Sequence, residues 1–189
     1  MFDSQADIAA VAYGPGEDPD GLLRGFAESL SRSGYRAVGL IQASRRSAVA
    51  PEALSAVMLP TGAAVSLRHD RRPSAIGCHL DADELAEARM RLAQAIAEGA
   101  DLVIINRFGS SEAEGGGLID LIVQALDADR PVLIAMPERR FADWIRFSGG
   151  MNVRLACRRD ALDLWWRSVA GPAARRRPSS AATFCELAK

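Results

Sequence analysis

The sequence predicts an α/β fold, a three-layer sandwich with helices on both faces of a mostly parallel sheet. Short apolar runs of strand length alternate with segments whose apolar residues recur at helical spacing, and this alternation is typical of βαβ units. Glycine and proline clusters separate the two kinds of segment. The 189 residues suffice for one well-buried domain. We expect it to span residues 1–170, with a tail rich in alanine, proline, serine and arginine at 171–189.

The beginning of the chain predicts one βαβ unit. Asp7–Tyr13 and Tyr35–Gln42 are apolar runs of strand length. Between them, Asp18 followed by Pro19 is typical of a helix N-cap and first helical position. Gly34 is the expected helix stop. The apolar face of the helix consists of Leu23, Phe26, Ala27 and Leu30.

A β-hairpin insertion is predicted near residues 54–69. Two short apolar runs flank Pro60-Thr61-Gly62, which is a turn sequence. We expect the hairpin either to lie at an edge of the sheet or to fold over it.

The second half of the chain predicts further helices and strands in alternation. Asp81 and Glu84 have the spacing of a capping box at the start of a helix that ends at Gly99. The predicted strands are Leu102–Asn106, Pro131–Met136 and residues 152–157, and the later predicted helices are Leu118–Leu126, Glu138–Phe147 and residues 159–170.

Charge and composition exclude several classes of function. The net charge of −1 offers no electrostatic attraction to nucleic acid, and the apolar runs are too short to span a membrane. Three scattered cysteines fit a reduced, cytoplasmic protein; we interpret Cys78 beside His79 as structural, and no metal site is predicted. The one lysine is Lys189, so arginine and backbone N–H groups must hold any anion.

Two glycine-rich loops follow predicted strands and mark the candidate site. In parallel α/β sheets, ligands bind beyond the carboxyl ends of the strands. One loop is Gly14–Gly21 and the other is Gly109–Gly117, which follows the strand that ends at Asn106. The candidate ligand-binding residues are Gly14, Gly16, Gly21, Asn106, Arg107, Gly109, Ser110, Ser111, Gly115, Gly116 and Gly117.

The order of these elements resembles that of small P-loop nucleoside triphosphatases of the type described from thermophiles. Residues 7–169 resemble more closely a bacterial domain family of unknown function that is associated with molybdenum-uptake or molybdoenzyme genes. The most specific stretch is Asn106–Gly117, of the pattern N-[RK]-F-G-x-x-E-A-E-G-G-G. The resemblance implies a P-loop-like fold and a place in molybdenum metabolism.

The phosphate-binding motif departs from the P-loop pattern G-x-x-x-x-G-K-[ST], which makes the predicted fold a degenerate P-loop type. Gly16 and Gly21 have the required spacing, but Leu22 and Leu23 stand where the lysine and the hydroxyl belong. Three carboxylates would lie where a triphosphate rests. These carboxylates are Glu17, Asp18 and Asp20. We interpret Asp18 as the helix cap and Asp20 as a charge that complements the helix dipole.

The acidic motif that P-loop triphosphatases carry at the end of a later strand is also changed in this chain. Where the related triphosphatases place a magnesium-binding aspartate and then a water-activating glutamate, this chain has Asn106 and Arg107. An amide is a poor magnesium ligand beside a carboxylate, and a guanidinium cannot act as a base near neutral pH.

The sequence allows two interpretations of the second glycine loop. Arg107 with the serines and glycines could form an anion cradle, while Glu112 and Glu114 could hold arginines, a partner or a cation. Alternatively, Gly115–Gly117 only lets the loop turn into its helix.

We therefore expect a cytoplasmic binding or regulatory domain that hydrolyses no nucleotide. It would recognise a small anionic ligand, a nucleotide or oxyanion, or a protein partner; a homo-oligomer is left open. The alternative is an active nucleoside triphosphatase or nucleotide-dependent transferase, with Arg107 stabilising charge and Glu112 or Glu114 as the base. A purely structural subunit is a third hypothesis.

Overall fold

The computed structural model describes residues 7–42, 54–67, 82–109, 112 and 115–170. The strands are β1 (Ile8–Tyr13), β2 (Ala37–Gln42), β3 (Leu54–Leu59), β4 (Ala63–Leu67), β5 (Leu102–Asn106), β6 (Val132–Pro137) and β7 (Val153–Ala156). The helices are α1 (Pro19–Arg32), α2 (Ala82–Ala97), α3 (Ile119–Asp127), α4 (Phe141–Ser148) and α5 (Arg159–Val169), and a 3-10 turn (Glu138–Arg140) precedes α4.

Within the described residues, seven strands form one sheet in the order β4-β3-β2-β5-β6-β1-β7. Five neighbouring strands, β2-β5-β6-β1-β7, pair in parallel. The strands β3 and β4 form an antiparallel hairpin beside β2. The predicted hairpin therefore lies at the edge of the sheet. The predicted α/β sandwich with a mostly parallel sheet is confirmed.

Helices cover both faces of this sheet, which explains why its central strands are apolar without alternation. In β5, Leu102 and Ile104 join a core with α1 and α5, while Val103 and Ile105 join a second core with α2, α3 and α4. Trp144 is fully buried in the second core. The three layers thus follow from one sequence feature, because the central strands bury both of their sides.

The local signals at α1 are observed as predicted. Asp18 is the N-cap and Pro19 opens the helix. Gly34 has φ +82°, in the left-handed region that glycine tolerates at a helix end.

Several boundaries differ from those predicted. β2 begins at Ala37 rather than Tyr35, because the N–H of Tyr35 donates to the Leu30 carbonyl at the end of α1 and the N–H of Arg36 donates to the Asp101 side chain. The helix predicted from Glu138 starts as the 3-10 turn and becomes α-helical at Phe141. Other ends move by one residue or two. Cys78, His79, Asp81, the Glu84 side chain and the tail at 171–189 lie outside the described part of the chain.

Candidate functional site

The site lies at the carboxyl ends of β1 and β5, which flank β6 in the sheet. The first glycine loop, residues 14–21, follows β1, and the second glycine loop, residues 109–117, follows β5 shortly after its end. Because the strands are parallel, the two loops leave the same edge of the sheet. The predicted site residues at the beginning of each loop are therefore brought to one edge.

In the first glycine loop, the protein's own carboxylates accept backbone N–H groups. The N–H of Gly14 donates to Glu17 Oε2 at 2.5 Å, and the N–H of Gly21 donates to Asp18 Oδ1 at 3.0 Å. Backbone N–H groups at a loop and helix N-terminus are the ones that bind phosphate in a P-loop. Two of the donors expected for an anion are thus already engaged, and Gly16 at the exposed turn has φ +90°.

The two leucines at the lysine and hydroxyl positions face apolar surroundings. Leu23 is fully buried in the core formed with α5, and Leu22 packs partly buried against the same core. The hydroxyl position of the motif therefore carries a core side chain here, and no polar group reaches the loop from it.

Asp20 joins the first glycine loop to the end of β5. This side chain is buried, 7% of the residue being exposed, and Asn106 Nδ2 donates to its Oδ1 at 2.5 Å. Arg107 Nη2 lies 3.7 Å from the same oxygen. The sequence interpretation of the first-turn carboxylates as only cap and dipole groups missed this role, since the contact joins residues 86 apart in the chain.

Arg107 turns from β5 across the sheet edge toward β1. Its guanidinium carbon lies 5.7 Å from the centre of the Tyr13 ring, within the range of a cation–π contact. The peptide bond between Asn106 and Arg107 is cis. Tyr13, the last residue of β1, was not among the predicted site residues, although its place at a strand's carboxyl end is the signal that selected Asn106.

The charges around this edge act on two titratable side chains. Burial raises the pKa of the Tyr13 phenol; Arg107 opposes the rise and Asp20 adds to it. Burial, with the nearby Glu17 and Asp18, raises the pKa of the Cys157 thiol to about 11. Cys157 directly follows β7, so the negative charge of the first glycine loop reaches the end of that strand and the thiol is neutral at pH 7.

The second glycine loop is also closed by its own carboxylate. Glu112 Oε2 accepts the N–H of Gly109 at 2.9 Å, and the Glu112 carbonyl accepts the N–H of Gly115 at 3.1 Å. A Cβ on Gly117 would lie 2.6 Å from Glu112 Cδ, so glycine there leaves room for the carboxylate. Gly116 is exposed, and Ser110, Ser111 and Glu114 lie outside the described residues.

Neither a metal centre nor a membrane helix is found in the part of the chain that the structure describes. No group of three or more histidine, cysteine, aspartate or glutamate side chains there is arranged to hold a metal ion. None of the described helices is long and apolar enough to cross a membrane.

The fold is similar to that of small P-loop nucleoside triphosphatases. The solution structure of a human cancer-related nucleoside triphosphatase superposes with a TM-score of 0.59 at 14% identity. The crystal structure of THEP1 from the hyperthermophile Aquifex aeolicus superposes with a TM-score of 0.59 at 16% identity. Each match covers 90% of this chain and 98% of the other.

The chain belongs to the family described as a protein of unknown function, DUF2478, whose model matches residues 8–165. It is also 39% identical over 171 residues to the molybdenum import ATP-binding protein ModC 2 of Bradyrhizobium diazoefficiens. That match covers 90% of this chain but 19% of the relative, so the chain spans about a fifth of the relative's length. The resemblance identified from the sequence is confirmed.

Proposed function

We propose that this chain is a non-hydrolytic binding or regulatory domain built on a degenerate P-loop fold. It acts in the cytoplasm, in molybdenum metabolism, by recognising a small anionic ligand or a protein partner. One observation supports the proposal: Glu17 and Asp18 accept the backbone N–H groups of the first glycine loop, and a guanidinium lies 3.7 Å from a carboxylate at the end of β5.

The negative charges of the first glycine loop support this proposal. A triphosphate entering the first glycine loop must displace Glu17 and Asp18 from the N–H groups of Gly14 and Gly21, and no lysine compensates. Two like charges 4 Å apart repel by about 4 kcal/mol at a protein surface, whereas a helix N-terminus offers an anion about 0.3–1 kcal/mol. The repulsion is the larger effect, and it disfavours a triphosphate here.

The residues at the end of β5, where the related triphosphatases bind magnesium, also support the proposal. Asn106 presents its amide nitrogen to Asp20, and Arg107 brings a positive guanidinium within 3.7 Å of that carboxylate. A magnesium ion would have to replace the guanidinium and would find an amide where its carboxylate ligand belongs. Arg107 also stands at the position of the water-activating base, which it cannot replace.

The place in molybdenum metabolism is supported by the relative named as a molybdenum import ATP-binding protein. This chain matches 19% of that protein, so a domain of this kind shares a polypeptide with other sequence there. A regulatory partner of a molybdenum importer is the role that fits a P-loop fold without hydrolytic residues. The scattered cysteines favour a cytoplasmic location.

The competing hypothesis is an enzyme in which Arg107 stabilises charge and Glu112 or Glu114 activates water. Glu112 would then have to leave the N–H of Gly109, to which it is bonded at 2.9 Å. Because an enzyme and a binding domain differ in turnover, one assay separates them.

Purified protein incubated with Mg²⁺ and ATP or GTP is expected to release no phosphate above the protein-free background. Glu112→Gln is expected to leave that baseline unchanged, as is the control Glu87→Gln on the exposed side of α2. Magnesium-dependent turnover that Glu112→Gln abolishes and Glu87→Gln preserves would refute the non-hydrolytic proposal.

A further inference from the structure

A groove of about 570 Å³ lies between the helices α2 and α3. Arg89 of α2 pairs with Asp120 of α3. One turn further along each helix, Gln124 donates to the Ala93 carbonyl, so the two helices run side by side in the same direction. Most of the residues that line the groove are apolar: Leu85, Ala86, Met90, Ala93 and Leu121. The groove therefore offers a mainly apolar surface to its occupant.

Met90 lies at this groove and is 68% exposed, more than any other large apolar residue in the described part of the chain. Ala86 and Ala93 are about one turn before and after it, on the same side of α2. A methionine side chain is flexible and fits irregular apolar surfaces. A protruding apolar side chain therefore lies directly beside an apolar groove whose nearest side chains on α2 are small.

The polar side chains of the groove already have partners. Arg89 and Asp120 are 2.5 Å apart and offset each other's charge, and Gln124 bonds the backbone of α2 at 3.2 Å. Nucleic acids and anionic lipids bind where positive charge is in excess, and this lining has none. A second groove of the same kind also carries no net charge, so two copies can meet without repulsion between like charges.

We propose that α2 and α3 form a symmetric dimer interface, in which Met90 of a second copy of this chain occupies the groove. In a two-fold contact the same surface serves both subunits, so a protrusion beside a recess is self-complementary. Met90 and the groove have this arrangement. The axis then passes close to Met90 and brings the two Met90 side chains near each other. The inference goes beyond the proposed function, because the groove contains no residue of either glycine loop.

Sedimentation velocity of the full chain at about 1–100 μM tests the proposal. The mass is expected to rise with concentration from 20.2 kDa toward twice that value. Met90→Glu is expected to weaken the dimer at least about 10-fold, because two carboxylates would meet near the axis in an apolar contact. The matched control is Leu164→Glu on α5, at a residue 64% exposed on the other face of the sheet. It should leave self-association unchanged.

Mixing two variants distinguishes a second copy from any other partner. Met90→Glu and Met90→Lys are each expected to be largely monomeric at about 20 μM, since like charges repel across the axis. An equimolar mixture is expected to form a heterodimer, because the two introduced charges then attract each other. The substituted residue is exposed, so the urea midpoints of both variants, measured on dilute monomer, should match that of the wild type.

A chain that stays at 20.2 kDa up to about 100 μM would overturn the inference, and the groove would then serve a partner of different sequence. Self-association that Met90→Glu leaves unchanged, or that Leu164→Glu weakens equally, would also overturn it. The same holds for a mixture that stays monomeric. None of these results changes the turnover assay, so the non-hydrolytic proposal is tested separately.

Discussion

Gly39→Ala is expected to lower the free energy of unfolding by about 3 kcal/mol. Gly39 lies in the middle of β2, opposite Ile104 of β5. A Cβ there would lie 2.8 Å from the Ile104 carbonyl carbon and would overlap its oxygen. The obstacle is backbone of a central strand, which cannot rotate away as a side chain could, so β2 and β5 would have to separate.

Urea denaturation followed by tryptophan fluorescence measures this effect. The control is Gly25→Ala in α1, where an added Cβ meets nothing within 4 Å and where alanine is favoured over glycine by up to about 1 kcal/mol. If both variants stay within about 1 kcal/mol of the wild type, the close approach of β2 to β5 is wrong, and with it the position of Asn106.

Asp20→Ala is expected to destabilise the protein by about 1–4 kcal/mol. It leaves Asn106 Nδ2 without an acceptor at a site 4% exposed, and an unsatisfied buried donor costs about 1–3 kcal/mol. It also removes the carboxylate that faces Arg107. That part is smaller, because the Arg107 side chain is 36% exposed and solvent screens the pair.

A double-mutant cycle with Asn106→Ala isolates the contact between the first glycine loop and β5. A coupling free energy of about 1–3 kcal/mol is expected. Pairing Asp20→Ala with Gln124→Ala, whose side chain bonds the Ala93 carbonyl on α2, should instead give additive effects. Additivity in the Asn106 cycle as well would contradict the role of Asp20 as the link between the two elements.

The elements that sequence predicted well are those with local signals. Asp18 and Pro19 indicate the start of α1 through capping chemistry, and the apolar run Leu102–Asn106 indicates a strand buried on both faces. Such signals depend on neighbouring residues only. The family resemblance added the P-loop-like fold, which the comparisons confirm.

The candidate site was predicted in part, because its decisive contacts depend on strand order. Nothing local shows that β6 separates β5 from β1, and that order brings Arg107 over Tyr13 and Asn106 against Asp20. The glycines were recognised from their spacing. Glu112 was considered as a base or ligand, whereas its carboxylate lies on the N–H of Gly109, a contact that the loop conformation decides.

We propose that the protein's own charges occupy the phosphate and metal positions of the P-loop fold. Titration of the full chain with ATP in excess Mg²⁺ tests it most directly, because binding needs those positions whether or not hydrolysis follows. The expected result is no saturable binding below about 1 mM nucleotide. Magnesium-dependent binding with a Kd of about 10 μM or tighter, measured on the same folded preparation, would contradict the claim.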